Sequence, residues 1–206
     1  MSCDCHLEAE TADQRSVLRL LLAINGVMFA GELVVGLMAD SSGVIADSID
    51  MLADCLVYGI SLYAVGAALS VKRRAASASG WFQIALALGI LGDVCRRAVV
   101  GSEPESLLML VMSLLALLAN TWCLVLLSRQ QRREIHIQAS WIFTRSDVVA
   151  NLGVMVAAGL VYFTQSRWPD LVVGASISLF VLYGGYSILR EVRQAGTPAA
   201  SDDQSH

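Results

Sequence analysis

The chain has 206 residues, of which 56% are hydrophobic and only 16% charged, with a formal net charge of −4. A mean hydropathy of +0.62 lies outside the usage of water-soluble globular domains, and no block of basic residues marks a nucleic-acid binder. The composition predicts an all-α membrane protein that crosses the bilayer several times.

Six apolar segments are long enough to cross the hydrocarbon layer: Val17–Met38, Gly43–Val71, Gly80–Cys95 extended by Ala98–Val100, Ser106–Leu127, Trp141–Thr164 and Leu171–Leu189. The connections between them are short, which leaves no room for a soluble domain between spans. The expected organisation is a tail at 1–16, a six-helix membrane domain at 17–193 and a flexible polar tail at 194–206. The first span retains Glu32 and lacks a small-residue cleavage site, so it reads as a retained helix and not a signal peptide. Ten of the fourteen basic residues fall at the N-terminus, in the loops after spans two and four, and at the C-terminus. Short loops rich in Lys and Arg stay cytoplasmic, so both termini are predicted to face the cytoplasm. The absence of eukaryotic targeting features leans toward a bacterial inner membrane. The five cysteines are scattered, with Cys3 and Cys5 in the predicted cytoplasmic tail, and no disulfide framework is expected.

The second span breaks the apolar pattern. Within SSGVIADSIDMLAD, Asp47, Asp50 and Asp54 have no Lys or Arg to answer them. Asp50 and Asp54 are spaced i, i+4 and project from one helical face, with Asp47 near the same stripe. Like charges this close are tolerable if they share protons or jointly hold a divalent cation, and their hard oxygens suit Mn²⁺, Fe²⁺ or Mg²⁺, with Zn²⁺ and Co²⁺ also accepted. The fifth span carries Asp147, with Asn151 one turn later on the same face and Phe143 one turn earlier. Bringing spans two and five together would gather Asp50, Asp54, Asp147 and Asn151 in an oxygen-rich site at mid-membrane, where transporters bind cargo. Asp47 reads as a weaker ligand candidate that caps or orients the second helix. Glu32 and Asp93 could relay protons or hydrogen-bond between helices. The tail CDCH gathers Cys3, Cys5 and His6, soft donors suited to Zn²⁺, Cu⁺ or Co²⁺, whereas His136 reads as a solvated loop residue. Gly174, Ser176, Ser178, Gly184 and Gly185 in the sixth span read as packing residues.

In this order the features resemble the cation diffusion facilitators, six-helix exporters of divalent metal cations. Asn25, Glu32, Gly36, Leu37, Ser41, Ala46, Asp47, Asp50 and Asp54 follow the family's pattern through the first two helices. The segment RRAVVGSEPES is comparable with the loop between helices three and four, Asn120 with an asparagine of the fourth helix, and Asp147, Asn151, Gly153 and Val154 with the fifth. The resemblance runs from Ala23 to Arg190. It implies a proton-coupled antiporter with no resident cofactor and no enzymatic activity, a cargo drawn from Zn, Co, Cd, Fe or Mn, and a homodimer in the lipid bilayer. It also implies four ligands, two from each of helices two and five. Here the first fifth-helix position is Phe143, which cannot bind metal, and Arg145 lies two residues before Asp147. The expected form is a short one without the family's cytoplasmic C-terminal domain or histidine-rich loop. Two other readings compete with it. A transport-inactive sensor or structural protein with the transporter fold accommodates Phe143 and Arg145. An intramembrane aspartyl protease would need a GxGD segment, and GILGD at Gly89–Asp93 is one residue out of that pattern.

Overall fold

The structure, a computed structural model, describes residues 3–64, 69–128 and 135–194, apart from the side chains of residues 3–14, 61, 63, 64, 69, 71, 72, 127 and 135–146. These residues form α1 (Cys3–Met38), α2 (Ser42–Ala64), α3 (Leu69–Val100), α4 (Ser106–Ser128), α5 (Ile135–Thr164) and α6 (Trp168–Gln194). The all-α membrane architecture stands, and α1, α3, α5 and α6 are longer than their spans, whereas α2 ends at Ala64, short of the Val71 expected, because Leu69–Val71 already belong to α3. The connection expected at Lys72–Ser79 is helical and belongs to α3, α5 starts at Ile135 and not Trp141, and α1 starts at Cys3. Hydropathy marks where lipid ends. KRRAASAS at residues 72–79 is polar but rich in good helix formers, so the helix continues past that boundary.

Among the described residues, five helices contain stretches long and apolar enough to cross a membrane, and α2 is the exception. Its 23 residues rise about 34 Å, enough to cross, yet any 18-residue stretch of it includes Asp47, Asp50 and Asp54. The fold resolves this by insulation. α2 packs against all five other helices, and the outer ones follow one another around it in the order α1, α4, α5, α6, α3. Their outward faces carry Leu114, Leu118 and Trp122 on α4, Val149, Val156 and Phe163 on α5, and Leu179 and Tyr183 on α6, all exposed. That apolar exterior is what a bilayer solvates.

At one end of the bundle, polar contacts join the turn between α1 and α2 to α3 and α6. α1 closes in a Schellman arrangement: the Ser41 amide donates to the Gly36 carbonyl at 3.0 Å and the Asp40 amide to Leu37 at 3.4 Å. Asp40 takes the left-handed φ of 48° that this requires. The Arg97 guanidinium of α3, 5% exposed, donates to both the carbonyl and the carboxylate of Asp40 and to Asp93. The Glu103 amide donates to the Asp40 carboxylate at 2.9 Å. Asp93 is therefore held by Arg96 and Arg97 at this end of α3. α2 then approaches α6 so closely that a Cβ on Gly174 would lie 2.8 Å from the backbone of Ser42. Farther along, Gly80 of α3 and Gly185 of α6 meet carbonyl to backbone, where an added Cβ would come within 2.8–3.0 Å. Gly174 and Gly185 thus act as the packing residues expected. Ser176 and Ser178 instead donate to carbonyls of their own helix, those of Val172 and Gly174, both at 2.7 Å.

Two stability predictions follow from this packing. Gly174→Ala should lower the thermal stability of the purified protein by about 1–3 kcal/mol, the usual cost of overpacking, while Gly159→Ala, whose Cβ would meet nothing within 4 Å, should not lower it, since alanine is the better helix former. Equal melting curves would show that α6 can move away from Ser42 freely. Arg97→Leu should cost about 1.5–3 kcal/mol, the range for hydrogen bonds to charged groups. Arg96→Leu, at a side chain 56% exposed, should cost less than about 1 kcal/mol. If the two variants melt together, Arg97 does not anchor this end.

Candidate metal site

The polar residues of four helices converge inside the bundle. Spacing along α2 puts Asp47, Asp50 and Asp54 on one inward stripe, at 2%, 7% and 3% exposure. α5 brings Asp147 and Asn151 to the same interior, at 3% and 0%. Asp50 and Asp54 stand near enough to Asp147 to act on its charge. Carboxylates gathered in a buried interior repel one another unless a proton or a cation is held among them. The Tyr58 hydroxyl, one turn past Asp54 on α2, donates to Asp54 Oδ2 at 3.0 Å.

Around this trio several buried polar atoms lack a hydrogen-bond partner, namely Asp47 Oδ1, Asp50 Oδ2, Asp147 Oδ2, Asn151 Oδ1 and both carboxyl oxygens of Glu32. Such atoms are costly to bury, and their clustering marks a place built to receive something. Asn151 turns its amide nitrogen to the Asp147 carbonyl at 2.8 Å and leaves its oxygen free. Glu32, on α1, stands beside Asp47 and Asp50. Of the two roles expected for Glu32, it makes no interhelical hydrogen bond; Asp93 is remote, in its ion pairs with Arg96 and Arg97. Asp47 does not cap α2; Ser41 and, from α6, Asp170 do so.

The trio is closed off in both directions along the bundle. Toward the end bearing Arg15 and Arg19, Leu18, Leu21, Tyr58 and Cys123 pack into an apolar plug. Toward the Asp40 end lies the larger core of Val44, Ala46, Ile49, Met109, Val154 and Ala158. A cavity of about 20 Å³ reaches Asp50 and Asp54 from the side, between α2 and the α3–α6 pair, and is lined there by Gln83, Phe180, Gly184 and Ile188. That is room for about one water molecule. Among the described residues, no three His, Cys, Asp or Glu groups are set out to hold a metal ion together. The helices bring the carboxyls together without arranging them round a common centre. The side chains of Cys3, Cys5, His6, His136, Phe143 and Arg145 lie outside the described residues.

Gln83 and Asp170 were not legible as site components. Gln83 sits in a segment that reads only as apolar. Asp170 follows Trp168 and Pro169 at a helix start, where an acid ordinarily serves its own helix.

The sequence is similar to those of known proteins. A family model described as the cation efflux transmembrane domain matches residues 18–195. The metal cation efflux system protein CzcD of Cupriavidus metallidurans is 26% identical over 198 residues, which cover 90% of this chain and 63% of that protein. The cadmium, cobalt and zinc/H(+)-K(+) antiporter of Bacillus velezensis is 24% identical over 215 residues, covering 96% of this chain and 68% of the relative. Zinc transporter ZitB of Yersinia pseudotuberculosis is 24% identical over 188 residues, covering 84% and 60%. The chain thus spans less than two thirds of CzcD and of ZitB. With buried carboxyls gathered from α2 and α5 of a six-helix bundle, and a match across most of its length, this multi-pass membrane protein belongs to the cation efflux, or cation diffusion facilitator, family.

Proposed function

We propose that the chain exports divalent metal cations in exchange for protons, with Asp50, Asp54 and Asp147 as the shared binding site and Asn151 as an amide-oxygen donor. The observation that carries this reading is the burial of Asp147 beside Asp50 and Asp54 in the bundle interior, with an oxygen of Asp50 and one of Asp147 left without a hydrogen-bond partner. Carboxylates that are ionised hold a divalent cation, and the same oxygens when protonated hold none, so metal and protons displace one another. Alternating access to the two membrane faces turns that competition into exchange. The relatives' names support a cargo of the zinc, cobalt and cadmium class and an antiport with protons. Asp47 and Glu32, beside the trio, are the nearest further acids to either ion. The basic ends of the helices are assigned to the cytoplasm, which places Cys3, Cys5 and His6 on the side from which metal enters. A second copy of the chain in the bilayer is the expected partner.

The direct test is metal uptake by proteoliposomes carrying a pH gradient, with Zn²⁺, Cd²⁺, Co²⁺ and Mn²⁺ offered separately. Asp54→Asn and Asp50→Asn should cut uptake at least about tenfold, the loss of roughly 1.4 kcal/mol or more of cargo binding, while leaving membrane insertion intact because each removes a buried charge. Wild-type uptake by Asp54→Asn vesicles would rule out the trio. Vesicles of the unaltered chain that move none of these metals would favour the transport-inactive reading.

Phe143 gives a second test. It precedes Asp147 by one turn of α5, where the family resemblance implies a ligand. An oxygen-only site should favour harder ions, so Phe143→His should raise the affinity for Zn²⁺ relative to Mn²⁺ by about tenfold, as a nitrogen donor does for a borderline ion. Calorimetry on the purified proteins, with Phe143→Ala as the control for lost bulk, measures this. An unchanged preference would mean that this position does not face the carboxyls.

A further inference from the structure

α2 begins in a buried pocket. Ser41 is its N-cap, and the Ser41 hydroxyl oxygen accepts from the Val44 amide at 3.1 Å. The two amides that this leaves in the first turn are taken by a residue of another helix. Asp170, in the first turn of α6, accepts from the Ser42 amide at 2.7 Å, from the Gly43 amide at 2.9 Å and from the Ser41 hydroxyl at 2.6 Å. Asp170 is fully buried, at 0% exposure, and Arg97 stands near enough to act on its charge. One carboxylate therefore lies between the amino ends of two helices, where both dipoles favour it. Gly174, one turn further along α6, lets the two backbones meet at Ser42.

We infer that Asp170 is a positioning residue: from α6 it fixes the height and rotation of α2, and so the place at which Asp50 and Asp54 meet Asp147. This rests on reading that trio as the cargo site. Asp50 and Asp54 follow Ser42 by 8 and 12 residues, about 12 and 18 Å along a continuous helix. A helix transmits rotation at its first turn along its length. With side-chain tips about 5–6 Å from the axis, a turn of ~20° displaces a carboxyl by roughly 2 Å, enough to upset its placement beside Asp147. α6 also lines the cavity that reaches the acids, through Phe180, Gly184 and Ile188. The Asp170 joint holds one end of that seam, so loss of the joint should let the α2–α6 cleft open.

A cap that only satisfied backbone amides could be supplied by α2 itself, and this separates the two roles. Ser41→Asp/Asp170→Ala gives α2 its own carboxylate N-cap and cuts the tie to α6. The probe is Val57→Cys, in the wall of the cleft, alkylated by N-ethylmaleimide in proteoliposomes and quantified at that position by peptide-resolved mass spectrometry. The Asp170→Ala and the double variant should both react about fivefold faster than the parent, as expected when an opening equilibrium loses a charge-assisted contact. In the double variant the melting temperature should recover while the KM for Zn²⁺ uptake, measured without the Val57 change, rises by about the same factor. Thiol reactivity within twofold of the parent overturns the inference, since Asp170 would then do no more than cap. A faster thiol with an unchanged KM overturns it as well, because α2 would have shifted without moving the trio. If the unaltered chain transports no metal, the cargo reading fails by itself, and the thiol rates still decide whether Asp170 sets the position of α2.

Discussion

Three carboxylates on one stripe of a bilayer-length helix cannot face hydrocarbon. At the centre of a membrane each charge costs roughly 2.5–3.5 kcal/mol even on lenient insertion scales. The bundle is arranged around this constraint. α2 is surrounded by the other five helices, and these can afford apolar outer faces because the acids have been moved inward. The neighbours that complete the interior, Asn25, Glu32, Asn120, Asp147 and Asn151, come from α1, α4 and α5. These acids and amides are thereby gathered in one seam.

Burial without pairing is what gives this seam chemical character. A structural network would satisfy its members, and structural polar networks are worth keeping only when they do. Here Asn120 has no partner for either side-chain atom, and Glu32, Asp47, Asp50, Asp147 and Asn151 each keep at least one oxygen free. At the Asp40 end the charged groups are paired, although the Ser42 hydroxyl there has no partner. There Arg97, Asp40, Asp93, Asp170 and the amides of Ser42, Gly43 and Glu103 saturate one another. One end of the molecule is stitched, while its middle keeps buried oxygens without a partner. The proposed exchange needs that division, since a site whose donors were already satisfied would gain nothing from a cation or a proton.

The route to the seam follows from which helices pair. α3 and α6 are joined along close glycine contacts, and the cavity at Asp50 and Asp54 lies on their boundary with α2. The plug of Leu18, Leu21, Tyr58 and Cys123 closes the bundle on the other side of Asp54, and Tyr58 links the two by donating to it. Any movement that exposes the acids toward the basic end must disturb this plug or widen the α2–α6 boundary. Both involve α2 directly, which is why its fixed end at Asp170 bears on the proposed exchange.

By itself the sequence determined that the chain is a bundle of membrane-crossing helices, because apolar runs of about 20 residues have no other stable setting. It also determined that Asp50 and Asp54 share a face, since helical periodicity acts over a single turn, and it marked Asp147 as their counterpart because an unanswered acid in such a run is rarely without purpose. Helix lengths were less legible: the polar segment at 72–79 and the start of α5 read as loops, because hydropathy reports lipid and not hydrogen bonding. Tertiary structure decided what depends on residues distant in the chain. It placed α2 at the centre, drew Asp93 into ion pairs away from Glu32, and brought Gln83 to the cavity. It also put Asp170 on the first turn of a helix that begins 128 residues earlier. No local pattern encodes that last contact, because either helix start could have been capped by its own neighbours, and only the approach of α6 to α2 at Gly174 makes one carboxylate serve both.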